Sequence, residues 1–110
     1  MRQFVIDELS PMERDNIDSY LKRNLTPGPM IGLYWIVLPA HLYSDLQQNH
    51  KDHGPFQIAI ELEQQSIRIE LLVRSQGHLH CNCTAYATTP QRQFILDFID
   101  TMLNKEQIHA

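Results

Sequence analysis

Two adjoining stretches of alternating apolar and polar residues constrain the fold of this chain more than any other feature of its sequence. Apolar residues stand at every second position from Phe56 to Leu62, and again from Ile67 to Val73. A period of two is typical of half-buried β-strands. A turn at Gln64–Gln65 allows one antiparallel register that keeps these apolar side chains on one face, with Leu62 opposite Ile67, Ile60 opposite Ile69 and Glu61 opposite Arg68.

Two further strands are predicted on either side of this hairpin. One runs from Leu79 to Ala87, after a three-residue turn at Ser75–Gly77. That turn length continues the apolar face, with Val73 opposite Leu79 and Leu71 opposite Cys81. The other strand, Leu33–Leu38, is apolar on both faces and therefore needs cover on each side.

Capping residues and prolines mark the predicted helices. Ser10, followed by a proline and by Glu13, has the form of a capping box and predicts a helix over Pro11–Asn24. The pair Thr89-Pro90 predicts a last helix with Thr89 as its N-cap, ending at about Asn104. A short helix is predicted from Pro39 to about Gln48.

Together these elements predict an α+β fold. The sheet is mainly antiparallel with about four strands, the order along the chain is α-β-(short α)-β-β-β-α, and the helices pack on one face. With 110 residues and 43% hydrophobic content, residues 1–110 suit a single domain with one core.

Charge and the N-terminal residues narrow the range of partners and compartments. The formal net charge of -4 lacks the basic footprint of proteins that bind nucleic acids or anionic membranes, so neither partner is expected. Asp7 and Glu8 stand where a secretory signal would need an apolar run. The apolar stretch Met30–Leu38 is too short to cross a bilayer. A cytoplasmic location is expected.

The segment His78–Cys83 combines the nitrogen and sulfur ligands that zinc favours. In an extended strand, however, His78 and His80 point to one side of the sheet, and Cys81 and Cys83 point to the other. We therefore expect no bound metal or other cofactor, and two unpaired, inert thiols in the core.

One metal-binding alternative stays open. His78 and His80 could join His50 or His53 from the polar loop in a three-imidazole site with an open coordination position, as in a metal- or small-ligand-binding protein or an enzyme. No nucleophile elbow, phosphate-binding loop or zinc-protease motif occurs in the sequence. The sequence thus favours a role other than catalysis, and no catalytic residues are assigned.

The preferred functional hypothesis is a small protein-interaction module that self-associates as a homodimer or binds another protein. Apolar residues of the last helix cover an arc of roughly 200°, about twice what one core face needs. Candidate interaction residues are Leu72, His80 and Tyr86 on the open sheet face, and Leu96, Phe98 and Leu103 on the helix. A role as a secretion-type chaperone for another polypeptide would rest on size, acidity and α+β content alone.

Overall fold

The computed structural model describes residues 1–78 and 80–110. Their helices and strands, in chain order, are β1 (Gln3–Ile6), α1 (Pro11–Asn24), β2 (Thr26–Pro27), β3 (Leu33–Val37), α2 (Asp45–Gln48), β4 (Phe56–Leu62), β5 (Ile67–Glu70), β6 (Leu72–Ser75), β7 (Ala85–Tyr86) and α3 (Thr89–Lys105). Two 3-10 turns, Ala40–Leu42 and Lys51–His53, flank α2. The strands form an antiparallel sheet in the order β1-β5-β4-β3-β2, and β6 pairs with both β4 and β7.

The predicted α+β class with an antiparallel sheet is confirmed, whereas the predicted strand number and order are wrong. The described residues contain seven strands, and the first of them, β1, precedes helix α1, where no strand was predicted. Four residues are too few to show a clear period. The β1 backbone becomes a strand because it pairs with β5, which places Phe4 opposite Ile69 and Ile6 opposite Ile67.

The central hairpin has the register predicted from its alternation. Ile60 lies opposite Ile69, Glu61 opposite Arg68 and Leu62 opposite Ile67. Beyond β5 the register shifts by two residues, so that Phe56 pairs with Ser75 instead of continuing opposite Val73. Extra residues of this kind form a bulge that bends a strand. The shift brings the end of β6 beside the start of β4, where the candidate site lies.

The strand predicted over Leu79–Ala87 is wrong for most of its length. Of its described residues only Ala85–Tyr86 form a strand, paired with Val73 and Leu72, so the predicted pair of Leu71 with Cys81 does not form. The other predicted partner, Leu79, lies outside the described residues. The preceding chain turns instead: the Cys81 N–H donates to the His78 carbonyl at 3.0 Å, and the Thr84 N–H to the Cys81 carbonyl at 3.1 Å.

The long helices follow the predicted boundaries closely. Helix α1 spans Pro11–Asn24 with the predicted capping box. Helix α3 begins one residue earlier than expected, because the side chain of Thr88 accepts the hydrogen bond from the Gln91 N–H. The predicted short helix divides into the 3-10 turn Ala40–Leu42 and α2. No helix in residues 1–78 and 80–110 has the length and apolar character needed to span a membrane.

The core lies between the apolar face of the sheet and the two long helices. Its fully buried side chains include Ile17, Leu21, Phe56, Ile58, Ile60, Ile67, Ile69, Ile95, Ile99 and Met102. Burying an aliphatic side chain of this size contributes roughly 1.5–3 kcal/mol. This shared core holds the sheet and helices in the positions from which the connecting loops extend.

A buried tyrosine ties β3 to helix α1. The Tyr34 hydroxyl donates to Asp18 Oδ1 at 2.6 Å, and Asp18 also accepts from Lys22 at 3.1 Å. Burial tends to raise the pKa of Asp18, but the Tyr34 hydrogen bond and the nearby Lys22 and Arg14 outweigh it and hold the pKa below 3.8. Burial, and then the hydrogen bond to Asp18, raise the pKa of Tyr34 from 10.0 to about 12.

The hydrogen bond between Tyr34 and Asp18 predicts that the folded protein loses stability at alkaline pH, and that Tyr34→Phe makes this loss smaller. The folded protein keeps the tyrosine proton up to about pH 12, whereas the unfolded chain releases it near 10.0. Folded molecules therefore bind more protons in that window, so the free energy of unfolding falls as the pH rises through it. Tyr34→Phe should cost about 1–2 kcal/mol at neutral pH. Urea unfolding at pH 7 and at about pH 11 checks this: an equal alkaline loss in both proteins would contradict it.

Candidate metal centre

Three side chains from two loops converge at one end of the sheet: His53, Cys81 and Cys83. One potential ligand atom from each lies within 4.8 Å of the others. His53 Nδ1 is 2.9 Å from the Sγ atom of Cys81 and 3.8 Å from that of Cys83. Imidazole nitrogen and two cysteine sulfurs form a ligand set suited to a transition metal.

The position of His53 is set by the end of strand β6. His53 closes the 3-10 turn Lys51–His53, and its N–H donates to the His50 carbonyl at 2.9 Å. The hydroxyl of Ser75, which is fully buried, donates to the carbonyl oxygen of His53. One residue on, the Gln76 N–H donates to the Pro55 carbonyl at 3.1 Å. These bonds hold the imidazole-bearing turn against the sheet.

The two cysteines are brought together by the turn that replaces the expected strand. Cys83 is fully buried, and Cys81 is partly exposed. The Cys83 N–H donates to Cys81 Sγ at 3.2 Å. A backbone N–H directed at a sulfur stabilises negative charge on it, as thiolate ligands require. The turn therefore presents both sulfurs on the side that faces His53.

The sulfur atoms of Cys81 and Cys83 are joined as a disulfide, with Cα atoms 5.2 Å apart. The prediction of two unpaired, inert thiols is therefore wrong. It followed from treating the segment as extended, in which residues 81 and 83 seldom meet disulfide geometry. In the turn the two sulfurs bond to each other and also face His53 of the other loop.

The other histidines of the alternative metal site differ in whether they lie close to His53. The His78 ring stacks on the His53 ring with centroids 4.0 Å apart and planes at 18°. The His50 ring lies 5.4 Å from that of His53 at 47°. His80, which the metal-binding alternative placed in one site with these residues, is exposed and outside the group of convergent ligands in the described residues.

A carboxylate lies beside the nitrogen of His53 that faces away from the sulfurs. His53 Nε2 is 3.8 Å from Asp52 Oδ2, and the Asp52 side chain is 84% exposed. Metal-bound histidines commonly direct their second nitrogen towards a carboxylate or a carbonyl, which orients the ring. At 3.8 Å the Asp52 carboxylate is beyond hydrogen-bond distance, so it would have to move closer to support coordination through His53 Nδ1.

The other predicted interaction residues lie away from this cluster. Leu72 pairs with Tyr86, whose ring lies under the Arg2 guanidinium at 4.4 Å. On α3, Phe98 packs edge-on against Tyr20 of α1 at 5.9 Å. Leu103 is buried and Leu96 is partly exposed. The wide apolar arc of α3 therefore serves both the sheet and α1, and self-association stays a prediction.

The sequence carried little signal for this site. The histidines of the loop are spaced H-x-x-H and the cysteines C-x-C, and both spacings are shorter than those usual in structural zinc sites. No family model matches the chain, and no curated protein or solved structure is significantly similar to it. Its chemistry must therefore be inferred from the geometry itself.

Proposed function

We propose that this protein binds a zinc ion through His53 Nδ1 and the thiolates of Cys81 and Cys83. The observation that carries the proposal is the convergence of these three ligand atoms within 4.8 Å, from loops almost thirty residues apart in sequence. Two of the three ligand residues are also held by hydrogen bonds: Ser75 donates to the His53 carbonyl, and the Cys83 N–H donates to the Cys81 sulfur. Preorganisation of this kind lowers the cost of assembling a metal site.

Zinc is the ion that this ligand set fits best. Zinc–nitrogen bonds of about 2.0–2.1 Å and zinc–sulfur bonds of about 2.3 Å place tetrahedral ligand atoms roughly 3.3–3.8 Å apart. The 3.8 Å between His53 and Cys83 meets this range, and the 2.9 Å to Cys81 needs a small outward shift. The two sulfurs, which are bonded to each other in the disulfide, must separate to about 3.8 Å after reduction. Two thiolates also balance the charge of a divalent ion, whereas calcium and magnesium prefer oxygen ligands.

The ion would hold together two connections between strands of the sheet. His53 lies at the end of the connection from β3 to β4, and the cysteines lie in the connection from β6 to β7. Between the two loops, Phe56 and Ser75 are paired in the sheet. Zinc would act there as a cross-link, and the free energy of metal binding would contribute to the stability of the folded domain.

Zinc binding and the disulfide are alternative states of the same two sulfurs. Metal coordination requires thiolates, so only the reduced form can provide two sulfur ligands. The proposal therefore assigns the working protein to a reducing compartment, consistent with the expected cytoplasmic location. It also requires that metal binding be measured on the reduced protein.

Cobalt(II) titration of the reduced protein tests the proposal directly. One equivalent should produce sulfur-to-cobalt charge-transfer absorption and the visible bands of a tetrahedral complex, and zinc should displace it. His53→Ala should weaken the affinity by about 100-fold or more, because loss of even a supporting residue costs 10–100-fold. His41→Ala, in an exposed turn, is the matched control and should bind normally. Absence of charge-transfer absorption in the unmodified protein would refute zinc binding by these cysteines.

A further inference from the structure

The imidazole of His50 lies beside that of His53, and one of its two ring nitrogens is hydrogen-bonded to the backbone. Its Nδ1 lies 2.8 Å from the carbonyl oxygen of Leu46, one turn earlier in the chain. A ring that donates Nδ1–H to a carbonyl has its lone pair on Nε2, which is the usual arrangement of a histidine bound to metal through Nε2. His50 is thus held in one orientation with a free nitrogen.

The backbone that carries His50 is well anchored. The His50 N–H donates to the Gln47 carbonyl at 3.0 Å, directly after helix α2. Gln47 is itself buried, and its side chain accepts a hydrogen bond from Gln91 of helix α3 at 2.9 Å. The position of His50 beside His53 is therefore set by the core of the protein through α2.

The separation of the His50 and His53 rings fits two imidazoles bound to one ion. With a metal–nitrogen bond of about 2.05 Å and about 1.1 Å from nitrogen to ring centre, each ring centre lies about 3.2 Å from the metal. At a tetrahedral angle, two such centres are about 5.2 Å apart. The observed distance is 5.4 Å.

His78 is close to the cluster but has the wrong orientation to coordinate the same ion. A metal lies in the plane of each imidazole that binds it, along the nitrogen lone pair. The His78 and His53 rings are stacked 4.0 Å apart with planes only 18° from parallel. An ion in the plane of His53 is consequently well outside the plane of His78.

We infer that His50 is the fourth ligand, through Nε2, and that it closes the site as His50, His53, Cys81 and Cys83. This inference rests on the proposed zinc binding and specifies the kind of centre. Four protein ligands leave no position for water or substrate, so the ion has a structural role and does not perform catalysis. The sequence pattern of the centre is then H-x-x-H followed by C-x-C.

The test compares His50→Asn with His78→Asn by cobalt and zinc titration of the reduced, full-length protein. Asparagine at position 50 can still donate to the Leu46 carbonyl but lacks the distal nitrogen, so it separates ligation from local structure. His50→Asn should weaken zinc affinity by about 100-fold and leave a coordination position that added imidazole occupies, which changes the cobalt spectrum. His78→Asn should change the affinity by less than about 3-fold, and its spectrum should not respond to imidazole.

A rescue variant distinguishes the loss of a metal ligand from a defect in folding. His50→Cys should restore tight binding, and the added thiolate should increase the charge-transfer absorption. Normal affinity in His50→Asn, or a spectrum that responds to imidazole before any substitution, would overturn the assignment of His50 while leaving the three-ligand site intact. If the unmodified protein binds no metal, both the site and its fourth ligand are refuted.

Discussion

Zinc is expected to raise the free energy of unfolding of the reduced protein by about 4 kcal/mol when free zinc reaches about 1,000 times its dissociation constant. The gain arises because the ligands converge only in the folded chain, so zinc binds the folded state in preference to the unfolded one. Residual binding of zinc by His and Cys in the unfolded chain would reduce this value. Urea denaturation followed by circular dichroism, in metal-buffered and chelator-containing solutions, measures the difference.

Cys83→Ser and His80→Ala form the matched pair for this measurement. Cys83 contributes a buried sulfur to the cluster, so its replacement should remove most of the zinc-dependent gain. His80 is exposed and should be dispensable, in contrast to its role in the alternative three-imidazole site. Oxidation of Cys81 and Cys83 to the disulfide should also abolish the gain, because no thiolates remain. A zinc effect that persists in Cys83→Ser would place the ion elsewhere.

Gln91→Ala is expected to lower the free energy of unfolding by about 3 kcal/mol, although it removes neither a charge nor an apolar group. The side-chain amide of Gln91 is fully buried and donates to the Leu42 carbonyl at 2.8 Å and to Gln47 Oε1 at 2.9 Å. Its oxygen accepts from the Thr88 N–H at 3.0 Å. Truncation leaves the Leu42 carbonyl without this partner and opens a cavity. Urea unfolding at neutral pH measures the change.

Gln93→Ala is the control on the same helix, since Gln93 is exposed and bonds only locally to Asp97 at 2.8 Å. That substitution should change stability by less than about 0.5 kcal/mol. Combining Gln47→Ala with Gln91→Ala should show a coupling energy of about 1 kcal/mol or more, because the two amides share a hydrogen bond. Equal effects of Gln91→Ala and Gln93→Ala, or additive effects in the double variant, would contradict the network.

The consequences of this network reach the candidate site. Gln47 directly follows Leu46, whose carbonyl oxygen accepts the hydrogen bond from His50 Nδ1. The hydrogen bond from Gln91 to Gln47 fixes this part of α2 to helix α3. The capping boxes of α2 and α3 are thus joined by one buried hydrogen bond. The glutamines that cap α2 and α3 therefore also help to fix the position of His50, the proposed fourth ligand.

The features that could be predicted from sequence were those determined by residues close together in the chain. Helix α1 begins at its Ser10 capping box, and the β4–β5 hairpin has the expected register, because capping and alternation act over a few residues. The sheet that pairs β1 with β5 could not be predicted in the same way. Four residues carry no clear period, and their partner lies some sixty positions away.

The candidate site was decided by tertiary structure. Histidine and cysteine at alternating positions in His78–Cys83 imitate a strand, but the chain turns there, and the Thr84 N–H donates to the Cys81 carbonyl. The two-residue shift between β5 and β6 then brings that turn against His53. Local patterns determine how a segment folds on its own, whereas convergence of distant ligands depends on registers that the whole packed sheet selects.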